Sequence, residues 1–144
     1  MDSKSIIAAV TGGVVFFILG YVFYAFLFAG FFEANQGSAT GYMKEMEEVN
    51  LLAIFLGNLA VAVLLTIVFG SWANIRTFAA GAMAGAIFGL LLSLGFDLTM
   101  YGTTNAYNLT AALVDPIIGA VMFAIVGGVI GMMLGRGTPK VAGV

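Results

Sequence analysis

Apolar positions in this chain come in four long blocks, with the polar positions gathered almost entirely between them. Ile6 to Phe32 is a run of 27 residues without a charge. Leu51 to Gly70 follows, with Asn58 its only strongly polar side chain. Phe78 to Tyr101 and Pro116 to Gly135 complete the set. A helix rises 1.5 Å per residue, so a hydrocarbon core of about 30 Å needs roughly 20 helical residues. Each block meets that length. The first is too long for a signal peptide, whose apolar region covers about 7–15 residues. The pattern predicts an all-α integral membrane four-helix bundle: one transmembrane domain over residues 1–144, with spans at about 6–32, 51–70, 78–101 and 116–135.

The intervening segments are polar in different ways. In Glu33 to Asn50, Gly37, Ser38, Thr40 and Gly41 mark a loop. Met43, Met46 and Val49 then recur at helical spacing between Glu45, Glu47 and Glu48, which predicts a short interfacial helix or an extra turn entering the second span. A docking surface for a partner is the alternative. The spacing of the acids does not fit an EF-hand. Ser71 to Thr77 is a tight connection with Trp72 as an interface anchor and Arg76 beside it. Gly102 to Val114 is a second polar connection, in which Asn108-Leu109-Thr110 matches the glycosylation pattern.

Charge orients the bundle. Lys4, Arg76, Arg136 and Lys140 fall on one side of a four-span arrangement, and Lys44 alone falls on the other, among acids. The positive-inside rule then puts both termini in the cytoplasm and the 33–50 and 102–114 connections outside. Composition agrees with a lipid environment. The chain is 62% hydrophobic and 8% charged, where soluble domains carry about 25% charged residues. With no cysteine and no histidine, disulfides, thiolate metal sites and the commonest general base are absent. No cofactor motif is present. A net charge of -2 and the lack of a basic patch give no sign of nucleic-acid binding. We therefore expect no enzyme activity and no cofactor.

Residues four apart share one ridge of a helix. In the third span that ridge reads Gly81, Gly85, Gly89, Ser93, Asp97, Tyr101, and in the fourth Asp115, Gly119, Phe123, Gly127, Gly131, Gly135. Small residues at this spacing let two backbones approach closely in lipid. Asp97 lies 16 residues from Gly81 and Asp115 lies 16 from Gly131, so antiparallel packing brings the carboxyls to similar depth. Such rows serve helix packing within one chain or between chains. Tyr24 and Asn58 fall in the same outer half, which predicts a polar or ion site of Asp97, Asp115, Asn58, Tyr24 and Tyr101. Asp115 before Pro116 also reads as a helix start, with aspartate as N-cap and proline at the first helical position. Asp97 has no capping role. Two carboxylates sharing a dry site do not both ionise cheaply, so a meeting pair would hold a proton or recruit a cation.

Phe96-Asp97-Leu98-Thr99, with Val114-Asp115 and Gly119 at the start of the next span, resembles a group of small four-span bacterial membrane proteins of unknown function. In that group a Tyr-Asp-Leu-Thr-Asn run closes the third helix, and a Val-Asp segment with Trp-Gly opens the fourth. This chain departs at Phe96, Met100 and Ile118. The resemblance implies a multi-pass protein of the bacterial inner membrane, with Asp97 and Asp115 at the matching positions, and implies no activity. Two functions follow as expectations. One is a structural or accessory subunit whose glycine faces pack against copies of itself or a larger membrane complex. The other is a small transporter or channel for a proton, cation or solute, using Asp97 and Asp115 near the outer side.

Overall fold

The computed structural model describes residues 1–137. Lys140, counted above among the basic residues, lies outside them. Among the described residues, four helices are long and apolar enough to cross a membrane: Ser3–Leu27, Leu51–Trp72, Phe78–Thr103 and Leu109–Gly135. The protein is thus all-α, consistent with a four-span membrane bundle.

Each long helix is opened by a side-chain cap. Asp2 precedes α1 (Ser3–Gly20) and accepts from the Ser5 N–H at 2.9 Å. Asn50 precedes α3 (Leu51–Ile67) and accepts from Ala53 N–H at 3.0 Å. Thr77 precedes α4 (Phe78–Thr103), and Asn108 precedes α5 (Leu109–Gly135). These oxygens satisfy N–H groups that the first helical turn leaves free.

The first apolar block is not one regular helix. After α1 the chain widens into a π-helix over Tyr21–Leu27, breaks at Phe28, and resumes as α2 (Ala29–Ala34). The break keeps its backbone paired, since Phe28 N–H donates to the Phe23 carbonyl at 2.8 Å. Tyr21, Phe23, Tyr24 and Phe26 crowd this stretch, and the wider turn spaces them. A second π-turn, Val68–Trp72, extends α3. The short helix expected over 42–50 is reduced to a single 3-10 turn, Met46–Glu48. Met43 and Met46 stay exposed there, so no apolar face is buried to hold a longer helix.

The fourth span corrects the sequence reading most. It begins at Leu109, not Pro116, with the Asn108 carboxamide accepting from Ala111 N–H at 2.9 Å. Asp115 is therefore inside α5 and is not its N-cap. Proline inside a helix costs about 3 kcal/mol. Unwinding the segment before it would instead expose several backbone groups to lipid, each at a cost of several kcal/mol. The helix keeps its proline.

α5 is the axis of the bundle. α4 packs along it on one side, while α1 packs against both α5 and α3. The core joins Phe16 of α1, Ala62 and Leu65 of α3, Phe69, and Met122, Val126, Ile130 and Leu134 of α5. The α4–α5 seam follows the two small-residue ridges. A Cβ at Gly81 would overlap the Gly127 carbonyl, one at Gly85 the Phe123 carbonyl, and one at Gly131 the Thr77 carbonyl. Gly119 faces Ser93, and Gly135 lies on the Arg76 backbone. The rows thus join helices within the chain. Hydroxyls inside the spans turn back to their own helix: Thr66 donates to the Ala62 carbonyl at 2.8 Å and Thr99 to that of Gly95 at 2.7 Å. At the Arg76 end, the guanidinium donates to the Gly70 carbonyl at 3.0 Å and to Asn74 Oδ1 at 3.1 Å, closing the α3–α4 turn.

Candidate functional site

The α4–α5 seam changes character as it leaves the glycines. One turn past the Ser93–Gly119 contact, Asp97 of α4 and Asp115 of α5 face each other within hydrogen-bonding range. Each is six residues inside its helix, counted from Thr103 and from Leu109, which is about 9 Å by helical rise. Asp97 is 3% exposed. Asp115 is half-buried. Asp97 Oδ2 and Asp115 Oδ1 are both buried with no hydrogen-bond partner. A buried polar atom without a partner costs about 1–3 kcal/mol, and more when charged, so two in contact are a departure from what folding favours.

The π-helix of the first span supplies the next member. Tyr24 lies beside Asp115 and in the field of Asp97. π-turns inside helices recur at functional sites because they re-aim one side chain, and here the re-aimed residue meets the carboxyl pair. Tyr107, in the connection between α4 and α5, faces both aspartates. Its phenol pKa is pushed up, first by burial, then by contact with Tyr42, and further by the aspartates. It remains a neutral hydroxyl.

Tyr107 also belongs to a clip that joins the two polar connections. Gln36 and Tyr107 form an antiparallel bridge. Gly37 N–H donates to the Ala106 carbonyl at 3.0 Å and Ala39 N–H to that of Asn105 at 2.9 Å. A Cβ at Gly37 would overlap the Asn105 carbonyl, so only glycine fits there. Asn108 donates through its Nδ2 to Asn35 Oδ1 at 3.0 Å, and the Tyr42 and Tyr107 hydroxyls are 3.5 Å apart. Asn108 is thus committed to a cap and a cross-link, which leaves its carboxamide unsuited to carry a glycan.

Of the residues expected at the site, the structure brings together Asp97, Asp115 and Tyr24. Asn58 is half-buried on α3 and makes no hydrogen bond to them. Tyr101, one turn beyond Asp97, is 44% exposed. Tyr107 and the Asn35–Asn108 pair escaped the sequence reading. The available signal was Asn108 just before Leu109-Thr110-Ala111-Ala112, a good N-cap ahead of helix formers. Among the described residues, no three His, Cys, Asp or Glu side chains gather to hold a metal ion.

Comparison of the chain with protein-family models, curated proteins and solved structures finds no match. The resemblance to the four-span bacterial group therefore rests on the quoted residues of α4 and α5 alone.

Proposed function

We propose that this chain is a small, non-enzymatic transport protein that carries a proton, cation or small solute through a site built on Asp97 and Asp115. One observation supports this above the rest: a fully buried carboxyl, in a membrane-length helix, lies against a second carboxyl with an oxygen of each left without a donor. A charge at bilayer-centre depth costs roughly 2.5–3.5 kcal/mol on insertion scales and less toward the interface, and these carboxyls lie about 9 Å inside their helix ends. Helix packing alone has no use for that expense, and Asp115 is relieved of the capping duty that would have explained it.

The reading includes an orientation and a place. Lys4, Arg76 and Arg136 share one end of the bundle, while Lys44 sits with Glu33, Glu45, Glu47 and Glu48 at the other. The positive-inside rule puts the first end in the cytoplasm, with the aspartates toward the outer face of a bacterial inner membrane. The accessory-subunit reading, which the sequence favoured over transport, drew on a surplus of glycine rows. Those rows are occupied inside the chain, and the glycines facing open space (Gly20, Gly57, Gly95 and Gly102 among them) form no row. A homo-oligomer fits transport as well, because α4 packs chiefly against α5 and leaves its other flanks to lipid or another copy.

The test is flux into liposomes carrying the purified protein, read with a pH-sensitive dye and with labelled monovalent cations. The expected result is flux by the natural sequence that is lost in Asp97→Asn and Asp115→Asn, with both variants still monodisperse. Absent flux, or equal flux in both variants, would remove this reading. Recovery in a stable larger complex after gentle solubilisation, without flux, would favour the accessory subunit.

A further inference from the structure

We propose that the ligand of the Asp97–Asp115 pair is a single proton, held on Asp97 and donated to an Asp115 carboxylate that also accepts from Tyr24. The inference rests on the reading of this pair as the ligand site, and adds what it binds.

The geometry carries it. The carboxyls stand within hydrogen-bonding range of each other, Asp97 almost wholly buried and each with an oxygen that has no partner. Two ionised carboxylates at that range repel, whereas one proton turns the contact into an O–H···O⁻ hydrogen bond, among the strongest that side chains make. The same proton gives a donor to a contact that otherwise has none, where each residue keeps a buried oxygen unpartnered.

The surroundings exclude other ways of settling the charge. The titratable groups facing the pair are Tyr24 from the first span and Tyr107 from the α4–α5 connection, and neither is a base. Lys4, Arg76 and Arg136 lie at the opposite end of the helices, and Lys44 is exposed on the outer loop. A hard metal cation takes about six to eight oxygen ligands. Here two carboxyls and a phenol are offered, and among the described residues no third acid joins them. An ion would also have to part the carboxyls first.

The two aspartates are not equivalent. Asp97 is 3% exposed, and its side-chain partner is Asp115. Asp115 is half-buried and has Tyr24 beside it. Burial disfavours a charge, so the drier carboxyl, Asp97, is the one that holds the proton. Asp97 is thus the carrier and Tyr24 a positioning residue that holds Asp115 as the acceptor.

Infrared spectroscopy of the purified protein in detergent tests this. At neutral pH a carbonyl band of a protonated, buried carboxyl is expected, shifting in heavy water and unchanged by added sodium, potassium or magnesium. It should disappear in Asp97→Asn. In Asp97→Glu, which keeps an acid at the position and covers the case in which the amide variant does not fold, the band should move in frequency. Tyr24→Phe should shift it less. No band in the natural sequence, loss of the band on adding a metal cation, or an unmoved band in Asp97→Glu would overturn the proposal. A band without flux in liposomes would uphold proton binding and remove transport. Cation flux without a band would uphold transport and remove the proton.

Discussion

From Gly81 to Gly85 the α4–α5 seam is backbone against backbone, at Gly89 and Ser93 a side chain of one helix meets a glycine of the other, and at Asp97 side chain meets side chain. One ridge on each helix carries both halves. In the glycine half, each missing Cβ makes room for a carbonyl of the facing helix, which gives two apolar helices contact area that lipid tails cannot match. In the aspartate half, the same close approach presses two carboxyls together and strands an oxygen on each. The close approach set by the glycine half carries into the aspartate half, where Asp97 is 3% exposed and Asp115 half-buried. Two neighbouring stretches of one interface thus differ in kind: close packing in one, a contact with unsatisfied oxygens in the other.

The comparison breaks most completely at the glycines. Gly85→Leu or Gly127→Leu puts a large side chain where a carbonyl or a backbone carbon already stands. Overpacking typically costs about 1–3 kcal/mol, and a backbone clash should exceed that. Loss of monodisperse protein and of the thermal transition in detergent is expected. A variant that folds normally would show that the ridges are not what joins α4 to α5. In the other half the outcome should invert. Asp97→Asn keeps a neutral donor toward Asp115 and removes only the transferable proton, so thermal stability should stay within about 1 kcal/mol of the natural sequence while flux is lost.

Between these lies Asn108→Ala. It removes the N-cap of α5 and the cross-link to Asn35, with an expected loss of about 1–2 kcal/mol. Hydrogen exchange at Ala111 to Val114 should quicken as the helix start slides toward Pro116. Unchanged exchange there would mean that Pro116 never threatened the first turns. The smallest effect belongs to Asp2. The Ser5 N–H, then the nearby positive charges, hold this carboxyl below its ordinary value of 3.8. Its capping contribution is complete above that value and fades as pH falls through the lowered one. Exchange in the first turn of α1 should quicken only in acid, with the aspartate pair unaffected.

Much of this was legible in the chain. Block length gave the four spans, because a bilayer sets a minimum that few other structures need. The ridges and the matched depth of Asp97 and Asp115 followed from four-residue spacing. Other features were hidden for physical reasons. Asp115-Pro116 looked like a helix start because the local rule weighs one cap against one ring, not the cost of leaving Leu109 to Val114 unpaired in lipid. The π-turn at Tyr21–Leu27 has no periodic signature, so the aim of Tyr24 could be placed only by depth. Tyr107 is fixed by pairing with Gln36 across about 70 residues, and such non-local bridges leave no trace in local pattern. Asn58 shared the right depth but sits on α3, which packs against α1 rather than α4.

A double-mutant cycle on stability with Asp97→Asn, Asp115→Asn and the combined variant asks most directly whether these two side chains form one unit. A coupling of at least about 1 kcal/mol is expected, as for residues in contact. Single effects that simply add, within about 0.5 kcal/mol, would contradict it.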